Sequence, residues 1–129
     1  MSTSKPRKSR ENERAFVEHV LELLQDLGDV KARAMFGGYG IFCNEKMMAL
    51  VADSVLYFKV DDNSRPLFEA EQCRPFTYTR KDNRTPIVMS YFEAPAAAME
   101  RASELCIWGQ RAYEAAERTA GRKRSKRKK

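Results

Sequence analysis

The chain has 129 residues, 43% of them hydrophobic and 10% aromatic, which is enough apolar material for one ordinary core and too little length for a second catalytic module. This composition excludes a wholly disordered chain, and no apolar run approaches the roughly 20 residues that a membrane-spanning helix requires. The net charge of +6 is unevenly held, with +7 from residues 121–129, +4 from residues 1–10 and −5 from everything between, so the basic character belongs to two tails flanking a mildly acidic body.

Residues 1–9 offer almost nothing to bury and are expected to form a disordered basic arm. No apolar stretch follows the basic start, so no secretory leader is expected and the chain is assigned to the cytoplasm. A helix is predicted next, capped by Ser9, with Glu11 and Glu13 where the helix dipole favours acids and Gly28 as its stop. Phe16, Val20, Leu23, Leu24 and Leu27 recur at helical spacing, and Glu18, His19, Glu22, Gln25 and Asp26 occupy the other side.

Residues 32–43, 46–52 and 55–60 read as three strands separated by Asn44-Glu45 and Asp53-Ser54. Links this short force antiparallel neighbours, since a parallel return needs about a dozen residues. Asp61-Asp62-Asn63-Ser64 then supplies helix caps, Pro66 suits a first turn, and a short helix through Leu67 and Phe68 ends before Pro75. Residues 76–80 and 85–92 form a further hairpin around Lys81-Asp82-Asn83-Arg84, and Pro86 requires that its strand begin at an edge or pair only beyond that residue. Ala94-Pro95 opens the last helix, which carries Met99, Ala102, Leu105, Cys106, Gly109, Ala112, Tyr113 and Ala116 on one broad face. Glu114 and Arg118 are spaced as an i, i+4 pair, and Gly121 is read as the helix end.

The expected architecture is therefore α+β: a two-layer sandwich with a largely antiparallel five-stranded sheet and helices on one face, in the order α-β-β-β-α-β-β-α. It covers residues 10–120, between the arm at 1–9 and a disordered basic tail at 121–129.

Reactive chemistry is hard to assemble from these residues. Cys43, Cys73 and Cys106 are odd in number and about thirty residues apart, which is neither a disulfide framework nor a paired metal-ligand spacing, so they are expected as reduced thiols in or near the core. The single histidine, His19, sits among acids on the polar side of the first helix, leaving a Ser or Cys nucleophile without a base. Gly37-Gly38-Tyr39-Gly40 runs on into Ile41-Phe42 as a strand instead of opening a helix with a following Lys, so it is not a phosphate loop; the glycines let a strand bend or let another backbone or ring approach. No catalytic residue, metal or cofactor is expected.

Interaction surfaces are easier to find. Leu56, Phe58 and Val60 face the helices, yet Val55 and Tyr57 point the other way, and Met47, Ala49 and Val51 alternate with Met48, Leu50 and Ala52. In a two-layer fold this leaves an apolar sheet face uncovered, which is expected to hold a homodimer or a protein partner. Phe76-Thr77-Tyr78-Thr79-Arg80-Lys81 with Arg84 interleaves rings and cations, a pattern that serves single-stranded nucleic acid but is read here as an ordinary solvated hairpin. Arg122, Lys123, Arg124, Lys126, Arg127, Lys128 and Lys129 carry no intervening acid and are expected to attract DNA or RNA backbones without reading bases.

Met35-Phe36-Gly37-Gly38-Tyr39-Gly40, within the longer run from Arg33 to Phe42, resembles the N-terminal domain of the TfoX/Sxy competence regulators. The similarity continues through Met48 to Asp53, Leu56 to Asp61, Met89 to Phe92, Glu93-Ala94-Pro95 and Trp108, so it spans about Arg14 to Arg118. It implies a compact α/β sandwich and a non-enzymatic regulatory or adaptor role in competence-type transcription control. Larger members add a second, helical domain where this chain has only its basic tail. The alternative is a chaperone-like protein-interaction module with no nucleic-acid role.

Overall fold

The computed structural model describes residues 7–35, 38–79 and 86–127. Helix α1 (Arg7–Leu24) runs into a short 3-10 turn (Gln25–Leu27) and is followed by strands β1 (Val30–Met35), β2 (Gly38–Cys43), β3 (Lys46–Ala52) and β4 (Val55–Lys59). Helix α2 (Arg65–Ala70), strands β5 (Pro75–Thr79) and β6 (Pro86–Glu93), a second 3-10 turn (Ala96–Glu100) and the long helix α3 (Ala102–Arg127) complete the chain. The strands make one antiparallel sheet in the order β1-β2-β3-β4-β6-β5.

The α+β class and the antiparallel sheet match the expectation, and the strand count does not. The stretch read as one strand over 32–43 is a hairpin, β1 and β2, with Met35 opposite Gly38 and Val30 opposite Cys43. A glycine pair between alternating runs is a hairpin signal as well as a bulge signal, and here the stretches on either side pair with each other as two strands. The two following links adopt the left-handed geometry that suits two-residue hairpins: Asn44 and Glu45 have φ of 49° and 69°, Asp53 and Ser54 51° and 60°. A bulge between Ile41 and Phe42 shifts the β2–β3 register and gives β3 an extra residue.

Strand β6 lies inside the sheet, yet Pro86 is tolerated there. Its ladder with β4 runs from Tyr91 to Glu93, and among the described residues the Pro86 end pairs with β5, opposite Thr79.

All three helices pack on one sheet face. The cross-strand row Ile41–Ala49–Phe58–Phe92 forms its floor. Phe68 of α2 stands over it with ring centroids 6.4 Å from Phe58, 6.3 Å from Phe92 and 4.8 Å from Trp108 of α3. Phe58 and Phe68 are fully buried, and removing such a ring from water contributes about 2–3 kcal/mol. Val17, Val20 and Leu24 form the buried stripe of α1, and Leu105, Ala112, Ala115 and Ala116 that of α3. Glu13 continues the α1 stripe although it is only 4% exposed; its Oε2 accepts the Ser54 N–H at 3.1 Å, satisfying the β3–β4 turn.

Two helix ends depart from the sequence reading. The first helix begins at Arg7, ahead of the predicted cap at Ser9. The last passes through Gly121 to Arg127. A glycine ends a helix when it adopts a left-handed conformation, and Gly28 is the one glycine with positive φ among the described residues. Gly121 stays helical, and cations beyond it suit the negative end of the helix dipole. Residues 1–6 of the expected arm and Lys128 and Lys129 of the expected tail lie outside the described residues.

Candidate functional site

The groups with the most chemical potential are spread out and quiet. Cys43 is buried on β2, Cys73 follows α2 and Cys106 lies on α3, all as free thiols. Burial raises all three, Cys73 to about 11, with the carboxylates of Glu93 and Glu71 adding to the effect there. A thiol raised in this way stays protonated at neutral pH, and a protonated thiol is a poor nucleophile and metal ligand. Cys106 Sγ instead donates to the Leu23 carbonyl at 3.2 Å, tying α3 to α1. His19 is exposed on α1. Among the described residues no group of three His, Cys, Asp or Glu converges as a cation cage.

The acids at 61–62 serve structure. Asp61 Oδ1 accepts the backbone N–H groups of Asn63 and Ser64, both at 3.1 Å, and the Ser64 hydroxyl at 3.2 Å. The Asp61 N–H in turn donates to Ser64 Oγ at 3.1 Å, which closes the turn leading into α2. Arg118, spaced in sequence to pair with Glu114, reaches across to this turn: Nε and Nη2 donate to the two Asp61 oxygens at 2.5 and 3.0 Å. The Asp61 side chain is only 5% exposed, and the Arg118 guanidinium beside it holds the carboxyl well below the usual carboxylate range. Glu114 accepts from Gln110 instead.

The glycine-rich string forms a close backbone approach. A Cβ on Gly38 would lie 2.2 Å from the Val51 carbonyl oxygen, so the start of β2 lies this close to β3 only because residue 38 has no side chain. One on Gly40 would meet the Met35 side chain at 3.0 Å and the Phe42 ring at 3.1 Å. Tyr39 points to the opposite face and packs on the core. Phe36 and Gly37 lie outside the described residues.

The sheet face away from the helices is apolar. Phe42, Met47, Leu50, Val55 and Tyr57 are half-buried by their strand neighbours, and none joins the helix-covered core. Arg33 lies over the Phe42 ring at 4.9 Å and Lys59 over Tyr91 at 5.1 Å, while Phe76 meets Tyr57 edge-on at 4.9 Å. Burial and, for Tyr57, nearby Glu93 and Asp53 raise both phenols, so they remain neutral hydroxyls at neutral pH. Phe76 thus belongs to this face, whereas Arg80, Lys81 and Arg84 of its hairpin lie outside the described residues.

The basic run sits elsewhere. Arg122, Lys123, Arg124, Lys126 and Arg127 occupy the last turns of α3, beyond the Asp61–Arg118 pair.

A six-stranded antiparallel sheet with one helix-covered face, one apolar open face and no assembled reactive cluster among the described residues defines an α+β domain built around surfaces. The family profile of the TfoX N-terminal domain matches residues 22–116, and the chain belongs to that family. It is similar to the protein called DNA transformation protein TfoX1 from Aliivibrio fischeri, with 29% identity over 97 residues, 75% of this chain and 46% of the relative. The chain thus spans just under half the length of that relative.

Proposed function

We propose that the chain is a non-enzymatic regulatory domain of the competence type, which pairs with a second copy or a protein partner through its open sheet face and contacts nucleic acid through its basic C-terminal run. The observation that carries this reading is the apolar sheet face that none of the described helices covers, and the seven cations that the sequence gathers between residues 122 and 129 support its nucleic-acid part. Support comes from the family, which is regulatory in character, and from the relative named as a DNA transformation protein. The raised thiols and the exposed, isolated His19 give no support to nucleophilic catalysis.

Two measurements test it. Anisotropy titration of a labelled duplex compares the protein with a full-length variant in which all seven terminal cations are Gln; the protein binds at low salt and the variant loses most of that affinity. Sedimentation compares the protein with Leu50→Arg, which places a charge on the open face and is expected to lower the associated mass. Equal duplex affinity for both chains removes the nucleic-acid role, and a mass that Leu50→Arg leaves unchanged at the monomer value removes self-association.

The same apolar face supports a second reading, a chaperone-like protein-interaction module without a nucleic-acid role. A complex with a purified partner that survives nuclease, with no duplex binding by the chain, favours this alternative.

A further inference from the structure

We propose that the basic segment acts as a fixed helix and not as a loose string of charges: residues 122–127 continue α3 into a groove of duplex nucleic acid, aimed by the Asp61–Arg118 ion pair. This rests on the nucleic-acid contact proposed above and adds the conformation and direction of the contacting element.

Continuity is the first support. α3 runs unbroken from Ala102 to Arg127, and Gly121 does not adopt the left-handed conformation that would end it. The second is anchorage. Ala115 and Ala116 are buried, Thr119 Oγ1 donates to the Ala115 carbonyl at 2.9 Å, and Arg118 closes on Asp61 with two hydrogen bonds. The helix axis is therefore set within one turn of the first terminal cation.

Charge distribution chooses the partner. At about 100° per residue, Arg122, Lys123, Arg124, Lys126 and Arg127 fall within an arc of about 200°, with no acid and no apolar position among them. A helix that lies on a membrane or in a protein groove keeps an apolar side. One that is cationic over more than half its circumference matches a groove walled by phosphates, and the major groove of B-DNA, about 12 Å wide, admits an α-helix. Such a helix holds the backbone without selecting a sequence. Because its shape exists before contact, less ordering is needed on binding than for a flexible tail of equal charge.

The test uses the full chain and a labelled duplex of mixed sequence at low salt. Gly121→Pro keeps every charge but removes the N–H that bonds the Glu117 carbonyl and crowds that oxygen; it is expected to weaken binding about fivefold. Gly121→Ala favours the helix and is expected to tighten binding about twofold. A Cβ at residue 121 meets nothing within 4 Å, so neither change disturbs the core. Asp61→Asn adds one unit of positive charge, so counterion release alone predicts equal or tighter binding; an aimed helix predicts weaker binding. Identical affinity for both Gly121 variants overturns the helical contact, and unchanged or tighter binding by a folded Asp61→Asn overturns the aiming. If the variant with seven Gln residues binds as the unaltered protein does, the nucleic-acid contact itself fails, a result distinct from either.

Discussion

Arg118 and Asp61, 57 residues apart, meet through two hydrogen bonds of 2.5 and 3.0 Å that fasten the last packed turn of α3 to the entrance of α2. Asp61 also accepts two backbone N–H groups of its own turn, so one carboxylate both closes that turn and ties it to α3.

Asp61→Asn is expected to lower stability by about 2–3 kcal/mol, less than for a fully buried pair because Arg118 is 35% exposed. Its pH dependence has a definite sign. The folded-state pKa lies below the unfolded value of about 3.9, so the pair contributes fully above that pH and its contribution fades as pH falls below it. Urea melts at neutral pH and through the acid range are expected to show the gap between the two proteins closing below about pH 4.

The hairpin links hold non-glycine residues where glycine is favoured. Glu45 at φ 69° and Ser54 at φ 60° occupy the second positions of their turns. Glu45→Gly and Ser54→Gly each relieve that strain and are expected to add about 0.5–1 kcal/mol, and Ser54→Gly keeps the N–H that Glu13 accepts. Thermal melts check both; a loss on either substitution contradicts the turn assignment.

Glycine is irreplaceable at one position of the Met35-to-Gly40 string and only preferred at another. Gly38→Ala drives a methyl into the Val51 backbone carbonyl and is expected to cost about 2–4 kcal/mol. Gly40→Ala meets the flexible Met35 side chain and the edge of the Phe42 ring, for about 1 kcal/mol. Chemical denaturation of the two variants ranks them.

Thiol labelling tests the quiet chemistry. Alkylation of the native protein at neutral pH is expected to be far slower than that of an unfolded control, with Cys73 gaining reactivity only as pH nears about 11. Fast native labelling at pH 7 contradicts the raised thiols.

What the sequence revealed follows from the range of the forces involved. Strand alternation at Leu56, Phe58 and Val60 and the helical stripe through Val20 and Leu24 are local patterns, and both face the core as expected. The open apolar face was legible for the same reason, since Leu50 and Tyr57 alternate with buried neighbours. The β1–β2 hairpin was not, because Gly37-Gly38 suits a bulge as well as a turn and only pairing decides. Helical spacing pairs Arg118 with Glu114, and nothing local marks a partner 57 residues earlier, although Asp61-Asp62-Asn63-Ser64 does mark the turn into α2. The sequence presents Glu13 as a charge at a helix start, and its burial against the β3–β4 turn depends on a contact between distant segments.

The strand order has a bearing on how the chain reaches this state. Strands β1 to β4 are joined by links of two residues each, so four-sixths of the sheet assembles while closing only the shortest possible loops. Strand β6 must find β4 across an intervening helix and strand, with Tyr57 meeting Glu93, and so it docks late. During synthesis the early meander therefore waits with β4 as a temporary free edge, open to a second nascent chain until the remainder of its own arrives.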